Sequence, residues 1–148
     1  MKPIRSCEAY IDGASLGNPG PAGIGVVFLD GNAKPIRQLS KYLGETTNNV
    51  AEYSALVYAL QEARQIGCRQ VRVKTDSELL ARQINGQYKV RNAQLRVLHD
   101  LAQSLAQGFT AWQIEHIPRT QNRLADRLAG QAAKRRQSSG CEVTGISG

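Results

Sequence analysis

The sequence predicts one α/β domain, a mixed sheet with helices packed on its faces, and three observations carry that expectation. The first third alternates extended runs with Gly-, Pro- or Asp-rich turns. The remainder alternates apolar residues at helical spacing with two strand-like runs, so strands and helices interleave along the chain. At 148 residues the chain matches the usual size of a single domain with a real core, about 100–150 residues.

Taken in order, three extended runs come first: about Ile4 to Ile11, Ile24 to Leu29 and Pro35 to Tyr42. Glycines and prolines between Gly17 and Gly23, then Asp30-Gly31-Asn32, supply the turns of a meander. Thr46-Thr47-Asn48-Asn49 offers N-cap residues, after which Val50, Tyr53, Val57 and Leu60 recur at helical spacing until Gly67. Val71 to Thr75 alternates like a strand and ends at Asp76, where a short helix, Ser77 to Ile84, begins. Asn85-Gly86-Gln87 breaks it. The next helix, about Asn92 to Gln107, should turn Leu95, Leu98, Leu101 and Leu105 inward and stop at Gly108. Phe109 to Ile117 gives the last strand, closed by Pro118, and Gln121 to Arg136 a final amphipathic helix with Leu124, Leu128 and Ala132 inside. Residues 1–136 therefore read as the domain and the Ser- and Gly-rich residues 137–148 as a tail.

Composition narrows the function classes. Hydrophobic residues make up 41% of the chain, yet no apolar run approaches the ~18 residues of a membrane span, and Met1 to Arg5 lacks the apolar block of a secretion signal. The expectation is a soluble, cytoplasmic protein that does not engage membranes. Nineteen Lys and Arg against twelve Asp and Glu leave a net charge of +7, which favours polyanionic partners such as nucleic acid. Cys7, Cys68 and Cys141 are too few and too scattered for a zinc module or a disulfide framework.

Against that basic background four acids fall where this layout brings chain segments together. Asp12 and Asp76 stand at strand exits, while Glu52 and Asp126 interrupt apolar stretches of helices. Taken singly, each has an ordinary explanation as a turn former, a helix-dipole partner or an ion-pair partner of Arg123 or Arg127. Converging, they would repel one another or draw in cations, and oxygen-only ligands suit Mg²⁺ or Mn²⁺ rather than Zn²⁺. Two such ions can activate a water and stabilise a leaving oxygen in phosphodiester cleavage without a nucleophilic side chain.

Four segments then resemble, in order, the motifs of the type 1 ribonucleases H: Tyr10 to Gly23 (YIDGASLGNPGPAG), Thr47 to Glu52 (TNNVAE), Thr75-Asp76-Ser77, and Asn122 to Ala129 (NRLADRLA). The resemblance spans roughly Ile4 to Ala133. It implies a five-stranded mixed sheet in the order 3-2-1-4-5 with about four flanking helices. It also implies a monomer that cleaves the RNA strand of an RNA/DNA hybrid with two Mg²⁺ ions, Mn²⁺ substituting, to leave 5′-phosphate and 3′-hydroxyl ends. Carried over by position, Asp12 would bridge both metals, Glu52 and Asp76 would complete the leaving-group side, and Asp126 would hold the ion that activates water. Ser15, Asn18, Asn48, Asn49 and Asn122 would contact substrate, the amides suiting a 2′-hydroxyl because they donate and accept at once, and Thr47 would bind a phosphate of the DNA strand.

The chain departs from the family pattern in three places. Arg119 occupies the loop where many members carry a histidine that helps product leave, so the catalytic expectation for that loop falls on Arg119, while His116 lies back on the last strand. Gln87 to Arg91 runs straight into the next helix, without the basic, Trp-rich handle of some members, leaving Lys89, Arg91, Arg119, Arg123 and Lys134-Arg135-Arg136 to grip substrate. Glu78 replaces an amide that contacts the hybrid in many relatives. Some tailed members also suggest a Cys68–Cys141 disulfide. Two other classes compete: a hybrid- or duplex-binding module without catalysis, which would be expected to lack one of the four acids, and a DNA-cutting resolvase or integrase core on the same fold.

Overall fold

A computed structural model describes residues 6–135 and, by their backbone, 141–145. The chain forms β1 (Ser6–Ser15), β2 (Gly20–Asp30), β3 (Pro35–Thr46), α1 (Asn48–Gln65), β4 (Gln70–Thr75), α2 (Glu78–Ile84), α3 (Ala93–Ala106), β5 (Ala111–His116), a single 3-10 turn (Arg119–Gln121), α4 (Arg123–Lys134) and β6 (Cys141–Gly145). The sheet order is β5-β4-β1-β2-β3-β6. The meander pairs antiparallel, and β4 and β5 join β1 in parallel.

The expected 3-2-1-4-5 order is present, and one strand is added to it. Residues 141–145, read from composition as part of a tail, pair antiparallel with Arg37 to Lys41 of β3. Cys141-Glu142-Val143-Thr144 alternates apolar and polar, but over only four residues beside Ser- and Gly-rich neighbours. It becomes a strand because β3 otherwise presents a row of unpaired backbone groups.

Strand alternation sorts the side chains of β1 and β2 between two helical layers. Ile11 of β1 and Ile24, Val26 and Phe28 of β2 join the core under α1, together with Leu56 and Leu60 of that helix. Gly23 and Gly25 of β2 face α4 instead. Because helices cover both faces, β2 is buried along most of its length. α1 lies between the sheet and α3, so residues around much of its circumference are buried, including Ala51, Glu52 and Ala55 beyond the expected stripe.

Two expected helix faces are corrected. In α3 the buried residues are Leu95, Ala102 and Ala106; Leu98 and Leu105 pack only partly, and Leu101 is 41% exposed. In α4 the inward face is Ala125, Ala129, Ala132 and Ala133, while Leu124 is 38% exposed. The reason is spacing. A Cβ placed on Gly23 would lie 2.6 Å from the Ala132 methyl, and one on Gly25 would lie 2.7 Å from the Ala129 nitrogen. A helix that approaches a sheet this closely can turn only small side chains inward.

Cys68 is a buried free thiol, as is Cys7, and the two meet in the core. The side chain of Cys141, its expected partner, lies outside the described residues. No helix among the described residues is long and apolar enough to cross a membrane.

Candidate active site

Asp12 sits where β1 is about to leave the sheet, beside Gly25 of β2. Its neighbour Gly13 faces α1 so closely that a Cβ there would collide with the Ala51–Glu52 backbone. That contact brings Glu52, in the second turn of α1, onto the strand: the Gly13 N–H donates to Glu52 Oε1. The helix itself starts at Thr47, whose hydroxyl accepts from the Val50 N–H at 3.2 Å. On the other side, β4 ends at Thr75, level with Ile11. The Ser77 N–H donates to Thr75 Oγ1 at 3.0 Å, and Asp76 projects from this tight turn.

Ligand oxygens of Asp12, Glu52 and Asp76 lie within 4.8 Å of one another. Asp126, in the first turn of α4, reaches the Asp12 carboxyl from the opposite side of the sheet and lines the same cleft of about 410 Å³. Four elements thus deliver four acids to one cleft. Burial, followed by the negative charge of Glu52, pushes the Asp12 carboxyl up to about 11. Burial raises Glu52 to about 7, against the pull of its hydrogen bonds with Asp12, Gly13 and Ser77. Without a counter-ion the cluster therefore retains protons at neutral pH. A crowded, oxygen-only set whose charge repulsion is relieved by cations fits Mg²⁺ or Mn²⁺.

Around these acids the other expected residues divide. Asn48 and Arg119 line the cleft. Arg119 is 78% exposed in its side chain and places its guanidinium 3.5 Å from Asp126. Asn49 is exposed at the start of α1. Asn18, after which the peptide to Pro19 is cis, accepts the Asn48 N–H through Oδ1 at 3.1 Å, tying the β1–β2 loop to α1. Ser15 also lines the cleft, but its hydroxyl lies within reach of the Gly17, Gly20 and Thr46 carbonyls. Asn122, expected among the substrate contacts, is buried beneath the acids and donates to the Ile11 carbonyl at 2.8 Å. His116 is exposed at the end of β5, away from the cleft, and Glu78 pairs with Arg82 on the surface. Sequence reasoning gave no role of its own to Ser77, which lines the cleft and caps α2 by accepting from the Leu80 N–H. Its position directly after Asp76 was the available signal.

A five-strand mixed core in this order, flanked by helices and gathering carboxylates at the exits of β1 and β4, defines an α/β protein of the ribonuclease H fold. Residues 10–132 match the Reverse transcriptase-like family. The chain is 40% identical over 125 residues to a ribonuclease HI of Halobacterium salinarum, covering 84% of this chain and 63% of that protein. It is 33% identical over 144 residues to a ribonuclease HI of Vibrio parahaemolyticus, covering 88% and 91%. Among solved structures, LC11-RNase H1 in complex with an RNA/DNA hybrid superposes with a TM-score of 0.84 at 39% identity, covering 89% of this chain and 99% of that one. The chain belongs to the ribonuclease H family. It spans less than two thirds of some curated relatives, 63% of the Halobacterium protein and 34% of a bifunctional protein of Mycobacterium tuberculosis.

Proposed function

We propose that the protein is a metal-dependent endoribonuclease that hydrolyses the RNA strand of RNA/DNA hybrids, acting as a monomer and leaving 5′-phosphate and 3′-hydroxyl ends. The observation that carries this reading is the convergence of Asp12, Glu52 and Asp76 within 4.8 Å, with Asp126 in the same cleft. Asp12, central to the group, would hold the ions together with Glu52 and Asp76, whose place is toward the leaving group, and Asp126, whose place is toward the attacking water. Two divalent ions held there supply activation of water and charge stabilisation at the leaving oxygen. The protein's own part is placement. Glu52 is fixed by Gly13, Asp76 by the turn after Thr75, and Arg119, exposed beside Asp126, would reach a phosphate from the cleft rim.

Substrate recognition follows from what surrounds the acids. Exposed Asn48 and Asn49 offer donor and acceptor together to a 2′-hydroxyl, and Thr47 keeps its hydroxyl proton for a phosphate of the DNA strand. A separate groove of about 690 Å³ is lined by Tyr88, Lys89, Arg91 and Arg96. Its loop is held by Gln83, which donates to the Lys89 carbonyl at 3.0 Å and accepts from the Tyr53 hydroxyl at 2.5 Å. These cations are placed to hold the duplex backbone without a handle insertion.

The deciding assay offers a labelled RNA/DNA hybrid, a DNA duplex and single-stranded RNA, each with Mg²⁺, Mn²⁺ or chelator. Only the hybrid's RNA strand should be cut, and chelator should abolish cutting. Cutting of the DNA duplex would move the protein to the DNA-cleaving members of this fold, and binding without cutting would make it a recognition module.

Two further results are expected. Arg119→Ala should lower kcat on the order of a hundredfold, as for loss of one charge-stabilising donor. Its melting temperature should barely move, because an exposed ion pair contributes at most ~1 kcal/mol; unchanged turnover removes Arg119 from the chemistry. Secondly, Mg²⁺ uptake at pH 7 should expel about one proton, because the carboxyls raised by burial must ionise to bind. Calorimetric titration in buffers of different ionisation enthalpy measures this, and identical heats in all buffers would mean the acids were already ionised.

A further inference from the structure

We propose that Asn122 is a positioning residue whose buried amide clips the start of α4 to the exit of β1, and so sets the spacing between Asp126 and Asp12. The inference rests on the metal-binding reading above and adds the device that keeps the two sides of that site in register.

Asn122 is only 1% exposed. Its Nδ2 donates to the Ile11 carbonyl, the residue before Asp12, at 2.8 Å. Its own carbonyl accepts the Asp126 N–H at 3.0 Å, and its N–H donates to the Arg119 carbonyl at 3.0 Å. One residue therefore touches the backbone on either side of the site and the turn that carries Arg119. At this position an asparagine side chain ordinarily caps its own helix by accepting from an amide of the first turn. Here no side-chain capping bond forms at the start of α4; the amide is turned to β1 instead.

That choice has a cost that marks it as specific. Asn122 Oδ1 is buried with no hydrogen-bond partner among the described residues, a desolvation penalty that the bond made by Nδ2 must outweigh. An apolar side chain of similar size would remove that penalty but leave the Ile11 carbonyl without its donor. What the position needs is the N–H. The rest of the segment is fastened in parallel, since the Ile117 N–H donates to the Thr75 carbonyl at 2.8 Å. The loop from β5 to α4 is thus tied to the exits of both strands that carry Asp12 and Asp76, and Asn122 is its side-chain tie to β1.

A second buried tie provides the control. Ser40 of β3 donates its hydroxyl to the Leu128 carbonyl at 3.0 Å, also holding α4 but through a strand that carries none of the acids. Mn²⁺ titration calorimetry on the substrate-free protein, thermal melting, and hybrid binding in chelator should be compared for wild type, Asn122→Ala, Asn122→Leu and Ser40→Ala. Asn122→Leu roughly keeps the volume and removes the donor without adding a charge. Both Asn122 variants should raise the Mn²⁺ dissociation constant by about tenfold or more, as for loss of a group that orients a metal ligand, with hybrid affinity unchanged. Ser40→Ala should lower the melting temperature and leave Mn²⁺ affinity as in wild type. If wild type takes up Mn²⁺ and the Asn122 variants match it, the positioning role is overturned while the metal reading stands. If wild type takes up none, the metal reading falls and this inference with it. An equal Mn²⁺ loss in Ser40→Ala, or failure of both Asn122 variants to fold, makes the tie purely structural and overturns the proposal.

Discussion

Asp12→Asn is expected to abolish hybrid cleavage, by about 10³-fold or more, while making the metal-free protein harder to melt. The activity loss follows from the central place of this carboxylate: weakening a charge-stabilising ion site by ~4 kcal/mol is already a thousandfold in rate. The stability gain follows from linkage. Burial and the neighbouring acids hold the Asp12 proton up to about 11 in the folded state, whereas the unfolded chain releases it near the ordinary carboxylate value. The folded state then binds more protons than the unfolded one, so this group's contribution to stability falls as pH rises above ~4. Asparagine carries no such penalty. The variant's advantage in melting temperature should therefore be small at pH 4 and grow by pH 8, in chelator. Saturating Mg²⁺ should narrow that gap, because ions that bind only the folded wild type stabilise it by about 2.7 kcal/mol at a hundredfold excess over Kd. Melting curves at two pH values, with and without Mg²⁺, check every part; a variant that melts lower at pH 8 in chelator would contradict the account.

Gly25→Ala is expected to be as damaging to the fold as Asp12→Asn is to the chemistry. The new methyl would meet the Ala125 carbonyl, the Ala129 nitrogen and the Leu128 Cβ, two of them at 2.7 Å. Backbone cannot yield as a flexible side chain can, so α4 must lift from the sheet. Overpacking typically costs 1–3 kcal/mol, and a clash with helix backbone belongs at or above the top of that range. Gly25 also pairs with Asp12 across the β1–β2 ladder, so lifting α4 carries Asp126 away from its partners, and activity should fall even where the variant remains folded. Gly130 of α4 is the contrast, because a methyl added there would meet nothing within 4 Å. Gly130→Ala should stabilise by roughly 0.5–1 kcal/mol through helix propensity alone. Denaturant titration of both variants decides the matter, and similar shifts for the two would remove close packing as the cause.

The sequence revealed the order of elements because its punctuation is strong: Thr47 caps α1, Asn92 caps α3 and Asp76 closes β4. It also showed which acids meet, since each interrupts an apolar pattern or ends a strand. What it hid depends on distance between elements. Leu124 looks like a core residue of α4 until the glycines of β2 bring the helix so near that alanines must face inward. Asn122 reads as a polar residue for substrate, and only the approach of the Ile11 carbonyl shows where its amide goes. β6 has only a four-residue alternation, Cys141 to Thr144, too short to stand out in a Ser- and Gly-rich stretch, and it pairs along the open edge of β3.

The parallel run of β1, β4 and β5 has a practical corollary. All three strands begin at the rim opposite the acids, so Ser6, Gln70 and Ala111 mark the far side of the molecule. Tethering the protein to a bead or fusing cargo at that end should leave the working rim turned outward and open to long duplexes, whereas cargo inserted between Gly17 and Gly20 would stand in the doorway.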